Sequence, residues 1–145
     1  MKIFLDANIC LDLLDTTRPT SKDSVNWYLK HKDDKNKEFF FSGDFITTIF
    51  YVLTQRKNIS HKEALKAIDL MSDEISPCYI KHTDYICAKN NLLDNLLNDL
   101  EDLIVLSSAT QLGCSFFITN DKELLQQNKY KMMKIITPLE ELKQS

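Results

Sequence analysis

Residues 99–121 read DLEDLIVLSSATQLGCSFFITND: an acidic start, an apolar helix, a glycine, then a short apolar strand that delivers Thr119, Asn120 and Asp121. Gly113 suits a helix stop, because glycine readily takes the left-handed conformation that closes a last turn. Working outward, KIFLDAN at the N-terminus repeats the strand half of this pattern, with Lys2–Leu5 apolar and Asp6 at its end. Glu38–Phe41, Ile75–Ile80 and Met133–Thr137 are further strand candidates beside Ser115–Thr119. Helical patterns lie between them: Asn8–Asp15, a second around Val25–Leu29, one from Phe45 to a basic tip at Arg56 and Lys57, Ser60–Met71, Thr83–Leu97, Asp99–Leu112, and a last turn opened by Pro138. Strands alternating with helices imply right-handed crossovers and parallel pairing. The expected fold is α/β, a three-layer α/β/α sandwich around a central, mostly parallel sheet of about five strands.

The 145 residues suit one domain, with 43% hydrophobic and 27% charged residues. Only 2 glycines and 3 prolines point to a chain dominated by regular elements. No apolar run approaches membrane-spanning length, and MKIFLDAN lacks the apolar core of a secretory signal. A cytoplasmic protein without a membrane partner is expected. The net charge of −3 neither marks nor excludes a nucleic-acid binder, since carboxylates at a site lower it while a basic rim still engages phosphates. Cys10, Cys78, Cys87 and Cys114 have no metal-ligand spacing and read as small buried hydrophobes.

In open α/β sheets, ligands bind beyond the carboxyl ends of the strands. Asp6 and Asp121 stand there, each fitting two roles: a site carboxylate or the cap of the next helix. Asp99 and Asp102, three apart at a helix start, share a face, whereas Glu101 points elsewhere. Asp102 runs straight into LIVLSSA, so its carboxylate needs a partner, and a metal ion is the natural one. Carboxylates gathered at a sheet edge bind hard divalent cations and support phosphodiester chemistry.

Taken in order, LDANICLD, SGDFITTIFYVL, DLEDLIVLSSATQLGCSFFITND and KIITPLEEL resemble the successive motifs of the PIN domain, the nuclease fold of the toxin half of VapBC-type toxin–antitoxin pairs. The resemblance spans essentially the full length and implies a single PIN-like nuclease domain over residues 1–145. It implies a metal-dependent endoribonuclease that hydrolyses RNA phosphodiester bonds with Mg²⁺ (or Mn²⁺). Asp6, Asp102 and Asp121 become the metal-binding and catalytic carboxylates, Asp99 a supporting catalytic acid, and Asn8 and Thr119 site-shaping polar residues. The implied partners are RNA, a cognate antitoxin protein and a second copy of the chain in a homodimer.

One departure stands out. The family usually carries Glu in the second acidic helix, where this chain has Thr48; Asp44, four residues earlier on the same helical face, is the candidate substitute. Arg18 and Lys122 are the leading candidates for contact with RNA phosphates. Thr48 also keeps open an alternative, a catalytically degenerate PIN-like module that binds RNA or a protein without cleaving. A haloacid-dehalogenase-like phosphatase wants a second Asp two residues after the first, where Asn8 stands.

Overall fold

A computed structural model describes residues 1–144. Among them are the strands β1 (Lys2–Leu5), β2 (Glu38–Ser42), β3 (Ser76–Cys78), β4 (Phe116–Ile118), β5 (Lys129–Tyr130) and β6 (Met133–Ile136). The helices are α1 (Ala7–Leu14), α2 (Ser21–His31), α3 (Ile46–Tyr51), α4 (His61–Glu74), α5 (His82–Leu93), α6 (Leu100–Leu112), α7 (Lys122–Gln127) and α8 (Pro138–Gln144). The sheet order is β3-β2-β1-β4-β6-β5. Every pairing is parallel except that of β5 with β6.

Side chains alternate across a strand, and here both faces are apolar. Ile3, Leu5, Phe39, Phe41, Ile118 and Ile136 join a core with residues of α1, α2, α3 and α4, among them Ile9, Trp27, Ile49 and Ile68. Phe4, Phe117, Met133 and Ile135 face the other way, onto Ala88 of α5, Leu103 and Leu106 of α6, and Leu124 of α7. Three layers result, because a sheet apolar on both sides must be covered on both. Phe4 and Phe117, paired across β1 and β4, stack with centroids 5.5 Å apart. Trp27 meets Phe39 edge-on; each such side chain contributes roughly 1.5–3 kcal/mol by leaving water.

The expected architecture holds, with local differences. The third strand stops at Cys78 rather than Ile80. Pro77 has no N–H to give, which suits a short edge strand, and the Ile80 N–H is taken by the Asp44 carboxylate at 2.8 Å. A sixth strand, β5, is too short for periodicity to show. It is held where Tyr130 buries its ring and its hydroxyl meets Ser107 at 2.9 Å and the Asn91 amide. α5 ends at Leu93, and Asn95 just beyond it has a positive φ of 57°. The helix after β2 is divided: a 3₁₀ turn (Gly43–Phe45), α3, then a π turn (Val52–Arg56). There Thr54 donates to the Phe50 carbonyl at 2.8 Å, a local bond that competes with the helical ladder. Cys10 and Cys114 are buried as expected, but Cys78 and Cys87 are only half-buried. Gly113 takes φ +91° and ends α6.

Candidate active site

From β1 the chain builds outward to β2 and β3, then crosses back to place β4 on the other side of β1. The crevice at this reversal, beyond the carboxyl ends of β1 and β4, is the favoured ligand position of such sheets. Asp6 leaves β1 there, and Thr119, Asn120 and Asp121 leave β4.

A hydrogen-bond web joins the two exits. Thr119, fully buried, donates its hydroxyl to Oδ2 of Asp6 at 2.8 Å. The Asp121 N–H donates to the same hydroxyl oxygen at 3.0 Å. The Asn8 amide donates to Asp6 Oδ2 at 3.1 Å, and its Oδ1 accepts the Asn120 N–H at 3.1 Å. Asp6 also caps α1, accepting the Ala7 N–H at 2.8 Å. Asp121 caps α7 through Oδ1, which accepts from Glu123 at 2.9 Å and Leu124 at 3.2 Å. Both acids thus cap the helices that follow them, and both stand at the crevice.

Asp99 caps α6, its Oδ1 accepting the Asp102 N–H at 3.2 Å. Asp102, half-buried in the first turn of α6, has its carboxyl pushed up to about 7. Burial is the largest cause, followed by the charges of Asp99, Asp121, Asp6 and Glu101. Burial also raises Asp6 above the usual carboxylate range, against the Thr119 and Ala7 hydrogen bonds that lower it, and the Asp121 charge adds to the rise. Neighbouring negative charges thus disfavour ionisation of Asp6 and Asp102, a conflict that a divalent cation relieves. The donors are anionic oxygens, matching a hard cation. Among the described residues, no group of three or more His, Cys, Asp or Glu side chains is arranged to hold a metal ion, so the carboxylates would have to draw closer to bind one.

The other candidates are exposed or already paired. Asp44 is exposed in the 3₁₀ turn, its Oδ2 accepting from Ile80 at the β3 edge. Thr48 lies exposed on α3. Lys122 is exposed at the start of α7, next to Asp121. The Nε of Arg18 bonds Asp12 Oδ1 at 2.7 Å.

Asp12 is the residue that sequence reasoning missed. It is fully buried, and it accepts from Thr20 at 2.8 Å, Ser24 at 2.5 Å and the Asn120 amide at 3.3 Å as well as from Arg18. It thus ties the Arg18 loop and α2 to the exit of β4. The signal was an acid inside the apolar stripe Ile9, Leu11, Leu13 and Leu14, with an arginine six residues on.

A model of the PIN domain family matches residues 2–123. The chain belongs to the PIN domain family. This PIN domain is 32% identical over 126 residues to Ribonuclease VapC1 of Aquifex aeolicus (strain VF5), covering 83% of this chain and 82% of that protein. Its fold resembles Mycobacterium tuberculosis VapC20, a toxin that cleaves the sarcin–ricin loop, with TM-score 0.68, 13% identity, and 91% and 98% of the two chains covered. VapBC-1 of nontypeable Haemophilus influenzae gives 0.65 at 15% identity over 95% and 98% of the chains. VapBC2 of Rickettsia felis, bound to a DNA fragment from its promoter, gives 0.63 at 14% over 93% and 97%. Among the described residues, no helix of this PIN domain is long and apolar enough to cross a membrane.

Proposed function

We propose that this PIN domain is a divalent-metal-dependent endoribonuclease and the toxin of a toxin–antitoxin pair, held inactive by a cognate antitoxin and assembled as a homodimer. The relationship to a VapC ribonuclease supports the activity, and the likeness to VapBC structures supports the partner. The observation that supports the catalytic reading is that Asp6 and Asp121 stand at the sheet's reversal point and that the charges of both reach Asp102.

Asp6, Asp102 and Asp121 would hold Mg²⁺ or Mn²⁺, with Asp99 beside them. An ion held there would supply a water of lowered pKa and a counter-charge for a phosphate oxygen. The chain's own work is positioning. Thr119 and Asn8 both donate to Oδ2 of Asp6 and so fix its carboxylate, and Asp99 locks the first turn that carries Asp102. Asp121 keeps Oδ2 free of the bonds that cap α7. Lys122 adds an exposed cation at the rim, suited to hold an RNA phosphate.

Thr48, which supplies no carboxylate, favours the second reading, a module that binds RNA without cutting. An assay on a mixed cellular RNA pool separates the two. Wild type and Asp6→Asn are compared with Mg²⁺, with Mn²⁺ and with EDTA. Cleavage that needs metal and disappears in Asp6→Asn is expected; a folded wild type that cleaves nothing would leave only the binding module.

A further inference from the structure

Glu123, Gln126 and Gln127 stand three and four residues apart on α7 and so share one face. Facing them is the loop from α5 to α6, with Asn95, Leu96, Leu97 and Asn98, ending at Asp99. Together these residues line a cavity of about 520 Å³, within the ~300–1,000 Å³ typical of small-ligand pockets. It adjoins the candidate active site from both sides: Asp99 lines it and also acts on Asp102, and α7 begins at its cap, Asp121.

The lining is unusual in kind. Four side-chain amides offer both donors and acceptors, and two carboxylates offer acceptors alone. Asn95, Asn98, Glu123 and Gln126 are exposed and Gln127 is half-buried, so these polar groups are open to an incoming ligand. No lysine or arginine lines the cavity, so it is a poor seat for a phosphate. Leu96 and Leu97 give it an apolar wall.

We propose that this cavity receives one unpaired nucleobase of the RNA, adjoining the scissile phosphate, and that it prefers guanine. The proposal rests on the nuclease reading above. Unpaired bases expose their Watson–Crick edges for recognition. Guanine presents two adjacent donors there, N1–H and N2–H₂, with O6 as acceptor. A carboxylate accepts both donors side by side, and a side-chain amide donates to O6. Adenine, cytosine and uracil each present a single donor group on that edge and would set acceptor lone pairs against the carboxylate, leaving it partly unsatisfied. Glu123 is the carboxylate assigned to this role, since Asp99 already caps α6.

The test has two arms. In the first, ¹⁵N-labelled protein without divalent metal is titrated with GMP, AMP, CMP and UMP, following the side-chain NH₂ signals of Asn95, Asn98, Gln126 and Gln127. GMP should shift these signals at concentrations about tenfold or more below the other nucleotides, and Glu123→Gln should remove the difference. In the second arm, cut sites in a random-sequence RNA are sequenced. Wild type should show guanine at one fixed position beside the cut, and Glu123→Gln should still cut while losing that bias. Equal shifts from all four nucleotides, shifts confined to other residues, or an unchanged bias in Glu123→Gln would overturn the pocket and leave the nuclease intact. GMP-selective shifts in a protein that cleaves no RNA would support the pocket and overturn the nuclease reading instead.

Discussion

Thr119 and Asp6 lie 113 residues apart in sequence and meet at 2.8 Å, the buried hydroxyl donating to the carboxylate Oδ2 across the seam between β1 and β4. The same hydroxyl oxygen accepts the Asp121 N–H. One small side chain therefore sets the spacing of two of the candidate metal ligands. Thr119→Val keeps the shape and removes the hydroxyl. It should weaken Mn²⁺ binding by about 10–100-fold, the usual cost of losing a partner that orients a ligand. Calorimetric titration of wild type and variant would measure this. Equal affinities would show that Asp6 and Asp121 are held without it.

Asp102 gives a pH dependence of definite sign. Its folded-state value of about 7 lies above the ordinary 3.8, so the folded chain holds a proton that the unfolded chain releases. The stability linked to this group is complete below about 3.8 and is lost as pH rises through about 7. Asp102→Asn removes the ionisation. In EDTA at pH 8 the variant should be more stable than wild type by about 1–2 kcal/mol, after allowance for the solvent screening of a half-buried group. Near pH 4 the gain should vanish. Urea melts at both pH values test it, and a variant no more stable at pH 8 would remove the claimed conflict among the acids.

Asp12 should matter through the fold rather than through RNA. Removing one partner of a buried ion pair leaves an uncompensated charge, at a cost of about 3–5 kcal/mol when the pair is fully buried. Asp12→Ala strands the Arg18 guanidinium and the hydroxyls of Thr20 and Ser24, and it should lose stability on that scale. Arg18→Ala leaves the buried Asp12 carboxylate without its cation but still accepting from Thr20, Ser24 and the Asn120 amide, and it should cost less because those three bonds remain. Denaturant melts would rank the two. An Arg18→Ala variant of wild-type stability with weakened RNA binding would return Arg18 to the role of a phosphate contact.

The contrast between Asp12 and Asp6 shows what the sequence made legible. Asp6 ends an apolar strand, and a strand-end acid declares its place at the sheet edge before any contact is known. The alternation of Ile3, Phe4 and Leu5 between two cores was equally readable, since both faces being apolar requires helices on both sides. Asp12 sits within a helix, and its burial depends on a loop and on α2 folding over it. The acid within an apolar stripe hints at burial, but the groups that bury it lie on other segments. β5 was hidden for a similar reason: two residues carry no period, and Tyr130 holds its place only through groups on α5 and α6. Asp44 was placed on the Thr48 face by assuming an unbroken helix. The 3₁₀ turn at Gly43–Phe45 changes the rotation per residue there, and Ile80 captures the carboxylate.

That bond engages Asp44 at the β3 edge and sets it apart from the candidate catalytic acids. Asp44→Ala frees the exposed Ile80 N–H to water, so it should cost only about 1 kcal/mol of stability. Metal-dependent cleavage should stay within a few-fold of wild type. Thr48→Glu makes the converse change, supplying the carboxylate that the resemblance to PIN-domain motifs implies at that position. Thr48 is exposed on α3, so the longer side chain meets no packing obstacle there. If Thr48 marks a missing ligand, Thr48→Glu should tighten Mn²⁺ binding in a direct titration and raise cleavage at limiting metal, while Asp44→Ala changes neither. Loss of metal binding in Asp44→Ala would show instead that Asp44 leaves Ile80 to serve the site.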